Sequence, residues 1–190
     1  MGIYVARPIV QMCAAVVMAL SVYPGVQASD LMLALGRLPS NHDSAAMAGA
    51  EVRTCKVTSI HDGDSMRVRC PGYKDTLRIR LDQIDAPELD QDHGKKSRDH
   101  LRSLCPIGKT AIVHDLGRDN YNRHLGRLFC NDVDVNAAMI ESGSAWVYDY
   151  HATDKSLSSL QDKARSAKRG LWSARKKPVP PWDFRYKQRR

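Results

Sequence analysis

The fold this sequence predicts is a small α+β domain, a β-barrel with helices on its outside. Three observations lead there: five or six short runs of β-forming residues, helical spacing in the segments between them, and a length that supports one core.

The first 28 residues read as a secretory signal peptide. Only Arg7 is charged ahead of an apolar run from Ile9 to Val26, broken by Gln11 and Pro24, and Val26-Gln27-Ala28 supplies a small-residue cleavage site after Ala28. An uncleaved anchor is the competing reading, because the run approaches the roughly 18 residues that can span a bilayer. Pro24 and Gly25 favour cleavage. The expected product is exported, periplasmic or secreted, with no stable membrane insertion after cleavage. Residues 29–50 show no sustained period and read as a linker, residues 51–173 as the folded domain, and residues 174–190 as a basic tail.

Thr54 to Ile60 alternates loosely, and Ser65 to Cys70 follows after Asp62-Gly63, which is the strongest short hairpin signal. Folding the chain between Asp62 and Gly63 sets Cys55 opposite Cys70. A third strand is expected in Thr76–Leu81, where Leu77, Ile79 and Leu81 alternate with Arg78 and Arg80, and Pro87 stops any extension. Lys95–Leu104 reads as a helix closed by Cys105-Pro106. Thr110–Val113 and Leu125–Phe129 are two more strands. Asp134 is placed to cap a helix over Val135–Glu141 that Gly143 ends. Ala145–Tyr148 is a short strand, and Thr153 or Ser156 opens a last helix, with Leu160, Ala164 and Ala167 on one face and Gly170 as its stop.

Charge is distributed unevenly. The chain carries +8 overall, yet residues 163–190 hold eleven Lys or Arg against Asp183 alone, which leaves residues 29–162 at −3. An acidic body with a basic end suits a cation site built from carboxylates beside an extension that grips a polyanion; a solubilising end is the plainer alternative. Once Cys13 leaves with the signal, Cys55, Cys70, Cys105 and Cys130 remain, an even set that admits three disulfide connectivities. The hairpin register pairs Cys55 with Cys70 and so leaves Cys105 for Cys130 by elimination. Zinc is disfavoured because no Cys-x-x-Cys or Cys/His cluster occurs.

Two acidic knots, Asp62-Gly63-Asp64 and Asp85-Ala86-Pro87-Glu88, flank Arg80, and Arg123 follows in the polar stretch Asp119-Asn120-Tyr121-Asn122-Arg123. Taken singly each is ordinary: Asp-Gly makes turns, Asp and Pro make turns, and Arg80 could be a structural ion-pair partner of Asp82 or Asp85. Taken together they pair carboxylates able to hold a hard divalent cation with arginines whose planar fork fits phosphate, the equipment for cutting a phosphodiester. The seven histidines show no metal or triad spacing.

The ordered set Asp62-Gly63-Asp64-Ser65, Arg80-Leu81-x-x-Ile84-Asp85-Ala86-Pro87-Glu88, Asp119-x-Tyr121-x-Arg123, Val135-Asn136 with Gly143-x-Ala145-Trp146-Val147-Tyr148, and Lys168-Arg169-Gly170-Leu171-Trp172 resembles the staphylococcal nuclease family. The match spans about Lys56 to Trp172. The resemblance implies a five-stranded OB-type barrel decorated with three helices, and an enzyme that cuts DNA and RNA with calcium to leave 3′-phosphate ends. It implies Asp64, Asp85 and the Ala86 carbonyl as metal ligands, Glu88 as the group that orients or deprotonates water, Arg80 and Arg123 as phosphate-gripping arginines, and Tyr121 as a nucleotide contact. Asn122 stands where the family usually has glycine, and Ala86 replaces a threonine. Two other classes explain part of the sequence: a non-catalytic OB module that binds nucleic acid without metal, and a disulfide-stapled extracellular interaction protein. A monomer with no obligate protein partner is expected.

Overall fold

A computed structural model describes residues 49–150 and 152–190, so the expected signal peptide and nearly all of the linker lie outside the described residues. Strands β1 (Glu51–Ile60), β2 (Ser65–Arg69) and β3 (Leu77–Leu81) form an antiparallel meander. Strand β4 (Ile84–Asp85) and helix α1 (Gly94–Leu104) come next, followed by β5 (Thr110–Arg118), β6 (His124–Cys130) and β7 (Val133–Asp134). Helix α2 (Val135–Glu141), strand β8 (Trp146–Val147), helix α3 (Lys155–Ser166), a 3-10 turn at Gly170–Ser173 and helix α4 (Pro181–Gln188) complete the order.

The sheet runs β3-β2-β1-β5-β6-β7, and a parallel pairing of β3 with β6 closes it. Five strands therefore make a closed barrel of the OB type, with no free edge between β3 and β6. Alternation along each strand sends Val57, Val68, Ile79, Leu81, Ala111, Val113 and Leu128 inside, where all are buried. Leu101 of α1 and Val135, Met139 and Ile140 of α2 extend the same core outward. Among the described residues no helix is long and apolar enough to cross a membrane.

Several boundaries differ from expectation for local reasons. The β1–β2 connection is a four-residue loop in which the His61 amide donates to the Ser65 carbonyl, rather than a two-residue turn at Asp62-Gly63. Near that loop Ile60 faces Met66, but a bulge between Val57 and Ser59 shifts the register, so that Val57 faces Val68 and Lys56 faces Arg69. The bulge restores beside the cysteines the alignment that a two-residue turn would have given, and a Cys55–Cys70 disulfide forms there; the other joins Cys105 to Cys130. Helix α3 takes Asp154 as its N-cap instead of Thr153 or Ser156: the Asp154 side chain accepts from the Ser156 amide at 2.8 Å. It ends before Gly170, because Lys168 at φ 51° already turns the chain. A fourth helix, α4, stands in the region expected to be only a basic tail, started by Pro181 at its first turn.

Arg127 ties the barrel to two helices. Its guanidinium reaches Asp134 at 2.6 Å and Asp154 at 2.9 Å, and these carboxylates cap α2 and α3. Burial alone would raise the Asp154 carboxyl, but hydrogen bonds from Ser156 and the Arg127 guanidinium outweigh it and hold the group below the ordinary carboxylate range. A carboxyl depressed in the fold lends stability that is present above its unfolded value near 4 and is lost as the pH falls through the folded one. Thermal melts should therefore show the wild type losing stability below about pH 4, and Asp154→Asn should melt lower at neutral pH with a flatter acid limb. The Cys55–Cys70 bridge closes a sequence separation of 15. Replacing both cysteines by alanine should lower unfolding free energy by about 3 kcal/mol, read by denaturant titration, because the loop is then unconstrained in the unfolded chain.

Candidate active site

The meander brings the two acidic knots together at one end of the barrel. Asp64 ends the β1–β2 loop, and its backbone carbonyl accepts from the Leu81 amide at 2.8 Å, which fixes the loop against β3. Asp85 lies on β4, a two-residue strand held by pairing with β8, Ile84 opposite Val147 and Asp85 opposite Trp146. The Asp64 carboxylate then reaches across to the Ala86 amide at 2.5 Å, so the two knots are joined directly. Gly63 makes this approach possible: a Cβ there would lie 1.9 Å from the Ser97 hydroxyl and 2.7 Å from the Ala86 methyl. Its role is closeness to α1 and β4, not a turn dihedral. Asp62 accepts from the Asp64 amide at 3.0 Å and shapes the loop.

Arg80 sits between the carboxylates. It pairs with Asp64 at 3.3 Å and Asp85 at 3.0 Å, and its orientation is fixed by donation to the Leu81 carbonyl at 2.9 Å and the Ile84 carbonyl at 2.6 Å. Of the two ion-pair partners the sequence offered it, Arg80 takes Asp85 and not Asp82, and it adds Asp64. Glu88 lies beyond the β4 turn and is part-exposed; Gln91 braces its loop, accepting from the Glu88 amide at 3.2 Å, while the Gln91 amide donates to the Glu88 carbonyl at 2.9 Å. Gly94 serves the same loop, since a Cβ there would stand 1.8 Å from the Glu88 carbonyl oxygen.

Burial dominates the electrostatics of the knots. Burial, with the neighbouring Asp64 charge adding to it, raises the Asp62 carboxyl to about 7. Burial and the Asp64 charge also hold Asp85 above the ordinary range, against the opposing pull of Arg185 and Arg80. Among the described residues no three His, Cys, Asp or Glu side chains form a metal cage by themselves. Two buried carboxylates do offer hard oxygen donors, and a dication would relieve the repulsion between them; this set fits calcium or magnesium and not a soft metal.

Arg123 and Tyr121 stand apart from this cluster. Asp119 folds their loop, accepting from the Tyr121 and Arg123 amides at 2.9 Å each and from the Arg123 side chain at 2.7 Å. Asn122, at φ 58°, fills the left-handed position that asparagine tolerates. The Arg123 guanidinium lies 5.5 Å from the centre of the exposed Tyr121 ring, and among the described residues it makes no ion pair with Asp64, Asp85 or Glu88. Tyr148 and Tyr150 lie with ring centroids 5.4 Å apart.

One residue of the site escaped sequence reasoning. Arg185 on α4 donates to Asp85 at 2.7 Å and 3.2 Å and to Glu88 at 2.8 Å. A Pro-Pro start, Asp183 in the first turn and Arg185 and Lys187 in the last were the signals for a helix here. Nothing in the local sequence says which carboxylates it meets.

The family described as Staphylococcal nuclease homologue matches residues 78–174. An uncharacterized endonuclease of Escherichia coli O157:H7 is 44% identical over 134 residues, covering 70% of this chain and 85% of that protein. An uncharacterized endonuclease of Haemophilus influenzae is 32% identical over 139 residues, 73% of this chain and 76% of the relative. A probable staphylococcal-like nuclease of Oryza sativa subsp. japonica is 29% identical over 166 residues, 81% of this chain and 50% of the relative. A closed OB-type barrel that gathers carboxylates and arginines at one end, in a chain so closely matched, belongs to the staphylococcal nuclease family and is a nuclease.

Proposed function

We propose that this nuclease is exported and calcium-dependent, and that it cleaves DNA and RNA with little sequence preference to release 5′-OH and 3′-phosphate ends. The observation that carries the reading is the convergence of Asp64, Asp85, Arg80 and Glu88 at one end of the barrel. Asp64, Asp85 and the Ala86 carbonyl would hold the calcium, which when bound supplies Lewis-acid polarisation of a phosphate oxygen.

The protein's own groups account for the rest. Glu88 is part-exposed, where a carboxylate can orient a water and take its proton as the water oxygen bonds to phosphorus and the P–O5′ bond opposite breaks, the 5′ oxygen leaving as a hydroxyl with a proton from solvent. Arg80, fixed by carbonyls before substrate arrives, presents positive charge where the five-coordinate phosphorus gathers negative charge, so it binds the transition state more tightly than the ground state. Arg123, on a separate, exposed loop, would grip the phosphate as a second arginine, with Tyr121 beside it as a surface against which a base could stack. No base-reading pocket is needed by this scheme, in keeping with weak sequence preference. The pair of disulfides supports an oxidising, exported setting.

Two measurements test the reading. Incubated with single-stranded DNA, the protein should cleave with calcium and stop with chelator; cleavage that ignores chelator would remove the metal from the scheme. Glu88→Gln and Arg80→Ala should each be nearly inactive, with a loss for the arginine on the order of 2.7–4 kcal/mol of barrier, or about 10²–10³ in kcat. A melting profile close to wild type for Glu88→Gln would separate chemistry from folding.

A further inference from the structure

Arg185 takes up the oxygens that the proposed chemistry requires. Its two terminal nitrogens reach both carboxylate oxygens of Asp85, at 2.7 Å and 3.2 Å, and one of them also reaches Glu88 at 2.8 Å. Asp85 is a proposed ligand of the cation and Glu88 the proposed handler of water, so one guanidinium claims both. We propose that α4 is a built-in stopper of the active site, in which Arg185 competes with the divalent cation for Asp85 and is released when the cation binds. This rests on the calcium-site reading above.

The way α4 is attached suits reversible docking. Pro181 is buried and Trp182 and Phe184 are half-buried, but no residue of α4 belongs to the hydrophobic core of the barrel. The remaining ties are polar or aromatic: Gln91 donates to the Val179 carbonyl at 2.5 Å, Gln188 to Asp90 at 3.0 Å, and the Trp182 ring lies 5.7 Å from that of Tyr148. Arg80, by contrast, is rooted in a barrel strand and fixed by two carbonyls. The charge balance favours exchange. Asp64, Asp85 and Glu88 face the single charges of Arg80 and Arg185, and replacing Arg185 by a dication adds one positive charge where buried carboxylates repel each other. Once free, the segment carries Arg175, Lys176, Lys177, Arg185, Lys187, Arg189 and Arg190 against Asp183, so a polyanionic strand entering the site would hold it away.

The test is calorimetric titration of the protein with calcium chloride, paired with amide hydrogen exchange of residues 181–188. Arg185→Ala should bind calcium more tightly than wild type, on the order of tenfold, the penalty removed if the open site is populated about one part in ten. Gln188→Ala, which loosens the helix without touching Asp85 or Glu88, should shift affinity the same way by less. Calcium should speed exchange over 181–188 in wild type, while in Arg185→Ala exchange should be fast with or without it. Calcium bound equally well or more weakly by Arg185→Ala, or α4 protection unchanged on calcium binding, would overturn the stopper and leave the calcium site standing. Calcium bound by neither protein would overturn both.

Discussion

Asp64 and Asp85 are buried next to one another, and that placement constrains the rest of this end of the molecule. Two carboxylates withdrawn from water lose its hydrogen bonds and repel each other, so the fold must bring positive charge and hydrogen-bond donors to them. Arg80 does so from β3, reached through the register that pairs it with Ser65 beside Asp64. The Ala86 amide does so from just after β4, and that contact requires Gly63 to lie close against Ser97 and Ala86. The short β4–β8 ribbon, whose four residues are all buried, exists to hold Asp85 at this point. Stability and function draw on the same contacts here, since the groups that reconcile the carboxylates to burial are those that would meet a phosphate.

Much of this was legible because it is local. Alternation gave β2 and β3 to within a residue, and Asp134 announced the start of α2 through a side chain three residues from the amide it caps. The disulfide register was legible for a less direct reason: the longer loop and the bulge after Val57 offset each other, so a simple fold about Asp62-Gly63 reached the right partner through the wrong turn. Other features depend on contacts distant in sequence and could not be read. The two-residue strand β4 has no period to display, β8 is legible within Ala145–Tyr148 but its pairing with β4 is not, and Asn136, which accepts from the Leu128 amide and donates to the Asp82 and Gly126 carbonyls, looks like any polar helix residue. Arg127 is similar: its link to the caps of α2 and α3 joins segments 7 and 27 residues away. The Arg185–Asp85 contact spans 100 positions and was the least accessible of all.

Arg80, Arg123 and Arg185 differ in what it costs to move them, and this orders the roles proposed for them. Arg80 is held by two backbone carbonyls and two buried carboxylates; displacing it would break four contacts at once, so it is a fixed part of this end of the barrel. Arg123 is held by one aspartate on an exposed loop and can change partners at small cost. Arg185 lies between these cases: its ion pairs reach a buried carboxylate, but the helix that carries it lies outside the hydrophobic core, with only Pro181 fully buried. An ion pair with a buried carboxylate, delivered by a weakly packed element, is strong only while nothing better competes for that carboxylate, and a hard dication is a better competitor for Asp85 than a guanidinium. The arrangement couples the position of the basic C-terminal segment to the charge state of the site. The same cations that would shield the carboxylates at rest become available to phosphates once the site is filled, so closing the site and gripping the substrate are alternative uses of a single helix.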